Sequence, residues 1–216
     1  MTRMVFGSLP RGGASPPGEP GSMAAKAPLE AHLPELEPMS PIDLIETEHR
    51  KWLIVCDAME RVADELPDLS IDPRVLGTAS LCTREAVARH HAAEQDGLFP
   101  LIKARLDPSS PLASMLDCLE EDHADLEDAS DEAADILAQI RLRQLRLSPD
   151  AAGYALRCFF AFMRRHVRCE LHIVLPAARA LIPTDDVGPF AATLARHRRH
   201  EKIVPLEWFR RYAAVD

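Results

Sequence analysis

The 216-residue sequence is poor in the features that build disulfide frameworks, membrane spans and sheets. Its five cysteines, Cys56, Cys82, Cys118, Cys158 and Cys169, are scattered singly, with no C-x-x-C and an odd count. That pattern argues against a disulfide scaffold. No apolar run approaches the roughly 20 residues of a membrane helix. The longest, near Ile173 to Ile182, is broken by Pro176 and Arg179, so no membrane partner is expected. Positive charge is also short, with 25 Lys and Arg against 34 Asp and Glu for a net charge of -9. A nucleic-acid coat or a polybasic membrane patch is therefore not expected. The first residues hold no continuous apolar core of the kind a secretion signal needs, and a reduced, cytoplasmic location is the expectation. Glycine is scarce, at 9 residues, and aromatics make up 5%.

What remains is a chain that is 47% hydrophobic and rich in Ala, Leu, Glu and Arg beyond residue 40, a composition typical of helices. Residues 1–39 carry Pro10, Pro16, Pro17, Pro20, Pro28, Pro34 and Pro38 among Gly, Ser and Ala. Such a segment buries too little surface to offset its ordering entropy and is read as a disordered leader. After it, Ser40-Pro41, Asp72-Pro73, Ser110-Pro111 and Ser148-Pro149 each pair an N-cap residue with a proline at the first helical position. They predict helices over 41–66, 73–106, 111–143 and 149–182, joined by short loops. The expected fold is all-α, an antiparallel up-down four-helix bundle over residues 40–183. A C-terminal helical extension over 184–216, basic at Arg196 to His200, is expected to pack outside it.

The apolar stripes contain a polar layer. Helical spacing aligns Ile42, Ile45, His49, Trp52, Cys56, Met59 and Ala63 on the first helix, and Leu76, Ala79, Ala86, His90, Glu94, Leu98 and Leu101 on the second. It aligns Leu112, Leu116, Leu119, His123, Leu126, Ser130 and Leu137 on the third. The fourth carries Ala152, Leu156, Phe159, Met163, His166, Glu170, Ile173 and Ala177. A His and a carboxylate four residues apart project from one helix face and reach a common metal. This pair occurs twice, as His90-x-x-x-Glu94 and His166-x-x-x-Glu170, each with a proline at the same distance behind it in HHAAEQDGLFP and HVRCELHIVLP. The single His49 and His123 precede them at similar intervals, as in an internal duplication. Counted from the shared end of an up-down bundle at about 1.5 Å per residue, these six side chains fall within a layer about 10 Å thick. Two glutamates buried with four histidines and no Lys or Arg need a cation. Oxygen and imidazole donors without thiolates favour iron or manganese over a structural zinc site.

His49, His90-x-x-x-Glu94 with Leu98-Phe99-Pro100 behind it, His123 and His166-x-x-x-Glu170 together resemble the hemerythrin-like HHE cation-binding domain over residues 41–182. The resemblance implies a four-helix bundle with a cofactor of two irons, oxo- or hydroxo-bridged. Glu94 and Glu170 would be the bridging carboxylates and the histidines the terminal ligands. It also implies His91, directly after the first motif histidine, as a seventh metal residue. Oxygen-carrying members place a histidine and an aspartate where this chain has Glu127 and Leu171, so simple oxygen transport is not expected. Members that repair damaged iron-sulfur clusters carry a cysteine pair before the bundle, and here no cysteine precedes His49.

The function expected on this basis is binding of, or reaction with, a small diatomic or peroxide ligand (O2, NO or H2O2) in oxidative or nitrosative stress response or sensing. The alternative is a non-catalytic iron or oxygen sensor or iron-handling interaction protein, and between catalysis and sensing the sequence does not choose. Glu127, one turn past His123, is read as an extra ligand or as an outer acceptor that fixes an imidazole. His172, His197 and His200 are read as surface residues, and Cys56, Trp52 and Trp208 as packing residues.

Overall fold

In the computed structural model, residues 39–66 and 72–199 are described. The expected leader up to residue 38, the second half of the C-terminal extension, His200 and Trp208 lie outside them. Among the described residues the secondary structure is helical. Helix α1 spans Pro41–Glu65, α3 Pro111–Arg141 and α5 Gly188–Arg198. Helix α2 begins with Pro73–Leu81 and ends with Phe99–Lys103, while α4 begins with Pro149–Cys169 and ends with Leu175–Leu181. All four Ser-Pro and Asp-Pro signals act as caps. Ser40, Asp72, Ser110 and Ser148 accept from the backbone N–H groups of Asp43, Arg74, Leu112 and Ala151, contacts worth about 1 kcal/mol each.

Helices α2 and α4 are not uniform. They contain widened π turns at Cys82–Ala86 and Glu94–Leu98 in α2 and at Glu170–Val174 in α4. At the latter two the backbone N–H groups of Phe99 and Leu175 reach back five residues to the carbonyls of Glu94 and Glu170. The cause lies one residue further on. Pro100 and Pro176 have no N–H to donate, and each ring would clash with the carbonyl four residues back. Widening the turn relieves that clash. At the first π turn, Thr83 Oγ1 instead donates to the Ala79 carbonyl at 2.7 Å and competes for the acceptor of the regular ladder.

Each widened turn inserts a residue and moves the inward stripe on by one. Ala86 and Leu101 are only half-buried, and Val87 and Ile102 are buried in their stead; Ile173 and Ala177 give way to Val174 and Ala178. The expected stripes therefore need correction in α2 and α4 and hold in the uninterrupted α1 and α3, where every predicted position is buried except the half-buried Leu112.

Two apolar clusters flank the polar layer. One gathers Trp52, Cys56, Met59, Val87, Leu126, Met163 and Val167. The other gathers Ile45, Ala93, Leu98, Phe99, Leu119, Val174 and Phe190. On every long helix the polar residues fall between the two, as His49 does between Ile45 and Trp52 and His123 between Leu119 and Leu126. Surface ion pairs tie the helices in opposing chain order. From α4 to α1 these are Arg179 to Asp43 and Glu46, Arg164 to Asp57 and Glu60, and Arg157 to Asp64. From α2 to α3 they are Arg84 to Asp131 and Asp135, and Lys103 to Asp117 and Glu120. Helix α5 is not merely peripheral: its Phe190 and Leu194 are buried in the second cluster. No helix among the described residues is long and apolar enough to cross a membrane.

Candidate metal centre

Nine polar residues are buried among those described, and seven of them are His49, His90, His91, Glu94, His123, His166 and Glu170. The structure brings all seven sequence-predicted site residues together between the apolar clusters. Their donor atoms form overlapping groups that lie within 4.8 Å: His49, His90, Glu94 and Glu170; Glu94, His123, His166 and Glu170; and His91, His123 and His166.

The two carboxylates are shared oxygen by oxygen. Glu94 Oε1 lies 3.1 Å from His49 Nε2 and 3.3 Å from His90 Nε2, while its Oε2 lies 3.5 Å from His123 Nε2. Glu170 Oε2 lies 2.8 Å from His49 Nε2, while its Oε1 lies 3.4 Å from His166 Nε2. His123 Nε2 and His166 Nε2 face each other at 3.1 Å. These separations match the spacing of neighbouring ligands around one ion, since bonds of about 2.1 Å at right angles put adjacent donors about 3 Å apart. The His91 and His123 rings stack at 4.0 Å, and the buried Phe99 ring stacks against His123 at 5.5 Å.

As a hydrogen-bonded cluster the site is incomplete. Eight of its buried nitrogen and oxygen atoms have no hydrogen-bond partner, among them Glu94 Oε2, both oxygens of Glu170, His90 Nε2 and His91 Nε2. At about 1–3 kcal/mol each their combined cost is on the order of a domain's whole stability of about 5–15 kcal/mol. Electrostatics point the same way. Burial, then the nearby Glu170 charge, raises the Glu94 carboxyl well above the carboxylate range. Burial also acts upward on Glu170, but His49 and His166 outweigh it and hold that carboxyl well below the range. Burial pushes His123 down to about 3, and with the neighbouring histidines pushes His91 down as well. Burial acts downward on His166, but Glu170 outweighs it and holds that imidazole above its ordinary value. Buried imidazoles packed around two buried carboxylates form a donor set that fits cations.

Outer carboxylates hold two of the imidazoles from behind. Glu48 Oε2 lies 3.0 Å from His90 Nδ1, and Glu127 Oε1 lies 3.3 Å from His91 Nδ1. Of the two roles left open for Glu127, the structure places it as an outer acceptor, and on His91 rather than on its own helix's His123. Sequence reading missed Glu48. A signal existed, because an acidic residue directly precedes each lone histidine: Glu48 before His49 and Asp122 before His123. Asp122 faces His166 Nδ1 in the corresponding place, but its shorter side chain stops at 3.7 Å.

His197 is not simply solvated as expected; its Nε2 lies 2.9 Å from Asp96 Oδ2. His172 is exposed. Cys56 is buried with its thiol pushed up to about 12 by burial, as a packing residue would be.

The family described as Hemerythrin HHE cation binding domain matches residues 40–178. The match contains all seven clustered residues and ends before α5. No curated protein and no solved structure matches the chain.

Proposed function

The chain belongs to the hemerythrin HHE cation-binding family, and from that premise we propose that it is a non-heme di-iron protein whose four long helices form an antiparallel up-down bundle around the metals. The opposing chain order of the α1–α4 and α2–α3 ion pairs supports the bundle topology. One observation carries the two-metal reading: each glutamate offers one oxygen to the His49 side and the other to the His123 and His166 side. The donor groups contain oxygen and imidazole and no cysteine, the chemistry that suits iron.

The two sides differ in their supply of ligands. His49 and His90 would hold one metal together with the two glutamates, while His91, His123 and His166 would hold the other. The side with two histidines offers fewer protein donors and would be the one to take a small ligand such as O2, NO or peroxide. Bound irons supply reversible one-electron chemistry and ligand affinity there. The chain's own residues hold and orient the donors, and the two apolar clusters exclude water. A cytoplasmic role in oxidative or nitrosative stress agrees with five cysteines that form no disulfide.

A second reading, a non-catalytic sensor, is favoured by the grip of α5 on residues beside the site, Asp96 and Glu48. Absorption spectra of anaerobically iron-loaded protein exposed in turn to NO, peroxide and air test the ligand assignment. A new charge-transfer band with at least one of them is expected, and no spectral response to any of them contradicts it. Fast peroxide turnover without a change in protease sensitivity on iron loading favours an enzyme. Strong ordering on loading without turnover favours a sensor.

A further inference from the structure

Helix α5 lies beyond the family match, so its contacts are this chain's own. Its last turn spans α1 and α2. Arg196 and His197 pair with Asp96 of α2 at 3.3 and 2.9 Å, and Arg198 Nε pairs with Glu48 Oε1 of α1 at 3.1 Å. The other oxygen of Glu48 bonds His90 Nδ1 at 3.0 Å, and His90 Nε2 faces the metal layer beside Glu94. Glu48 is largely buried, its side chain 13% exposed. A chain of contacts thus runs from Arg198 through Glu48 to His90, and His90 belongs to the side with fewer histidines.

Resting on the di-iron reading above, we propose that Arg198 and Glu48 are positioning residues for the metal centre, through which the docking of α5 sets the orientation and donor strength of His90. The Glu48 carboxylate accepts from Nδ1–H, which fixes the tautomer that leaves the Nε2 lone pair for metal, and makes the ring a stronger donor. The Arg198 guanidinium, 3.1 Å from Oε1, holds the carboxylate in place. The corresponding contact in the other half has no such support. Asp122 stops 3.7 Å from His166 Nδ1, and its own arginine, Arg165, is 3.9 Å away.

The test compares full-length wild type, Glu48→Gln, Arg198→Ala, Arg198→Lys, the double variant Glu48→Gln/Arg198→Ala and, as a control, Arg179→Ala, whose partners Asp43 and Glu46 belong to a separate surface pair. Each is loaded with ferrous iron without oxygen, titrated against a chelator, and then oxidised in air for its absorption spectrum. Metal-free samples are melted in parallel to separate folding from positioning. Glu48→Gln is expected to weaken iron retention about 10-fold or more. Arg198→Ala should weaken it about twofold to fivefold, the range of a partly exposed ion pair, with Arg198→Lys restoring most of the loss. Both variants should displace the charge-transfer bands in the same direction, and the double variant should be no weaker than Glu48→Gln alone. Arg179→Ala should match wild type in iron retention and in its absorption bands. Wild-type retention and spectra in Glu48→Gln or Arg198→Ala would overturn the proposal while leaving the metal reading standing. Losses that track lowered melting of the metal-free variants, with unshifted bands, would overturn it too. A wild-type chain that holds no ferrous iron would overturn both readings together.

Discussion

The two halves of the bundle, α1 with α2 and α3 with α4, are built on one plan and end differently. In each, a lone histidine precedes a His-x-x-x-Glu pair, the glutamate opens a π turn, and a proline follows six residues after it. The second proline-driven turn repeats the first, so both bridging candidates sit on backbone of the same irregular shape. Two of the positions at which the halves part shape the site and its cover. His91 follows His90, whereas Val167 follows His166, and this single residue makes the metal layer asymmetric. Gly97 stands three residues past Glu94, whereas Ile173 stands three past Glu170. The glycine lets Phe190 of α5 lie on the first π turn, while Ile173 is exposed. The plan of the site is thus a repeat, and the departures from the repeat provide its directionality and its cover.

Substitutions can break this comparison in order of effect. Glu94→Gln and Glu170→Gln each leave one amide oxygen in place of two carboxylate oxygens and remove a negative charge that both sides share, so each should cut iron per chain from two to below one, read by elemental analysis of protein that keeps its helical circular dichroism. His91→Val converts the first half to the second's pattern. It would leave the side of His123 and His166 with two histidines and two glutamates, as on the other side, so the chain should keep two irons while the iron on that side becomes easier to remove in chelator titrations.

Gly97→Ala should destabilise the metal-free protein by about 1–3 kcal/mol in denaturant titrations, because the added Cβ would stand 2.6 Å from Phe190 Cδ2. Ile173→Ala, at the matching exposed place, should cost less than about 0.5 kcal/mol. Glu127→Gln should weaken iron retention less than Glu48→Gln does. Glu127 is 43% exposed, so water competes for its oxygen, and its 3.3 Å contact to His91 is longer than the 3.0 Å contact of Glu48 to His90.

The smallest effect lies on the seam between the halves. The Arg179 hydrogen bond to Asp43, and those of Arg50 and Arg179 to Glu46, hold both carboxyls below their ordinary values of 3.8 and 4.5. Folded values below unfolded ones mean this stabilisation is present above those values and fades as pH falls through them. Arg179→Ala should therefore lower the melting temperature slightly at pH 6 and leave it unchanged near pH 2.

How much of this could be read from sequence follows from the range of each interaction. Helix starts were legible because capping is local, and Ser40, Asp72, Ser110 and Ser148 all cap. The six layer residues were legible because a buried His and Glu stand out in an apolar stripe. The stripes failed beyond the π turns, at Leu101, Ile173 and Ala177, although Pro100 and Pro176 marked the cause. Periodicity counts residues evenly, and a widened turn does not. Glu48, Glu127 and Arg198 act across helices, on His90, His91 and Glu48 respectively, and no spacing along one helix encodes such contacts.

The proposed centre has seven side chains, sharing two glutamates, that hold two irons. Elemental analysis of wild-type chain loaded with ferrous iron without oxygen and freed of excess tests it most directly. Two irons per chain, falling below one in Glu94→Gln and in Glu170→Gln, is expected. No iron, or a single metal ion that survives both Glu94→Gln and Glu170→Gln, would contradict it.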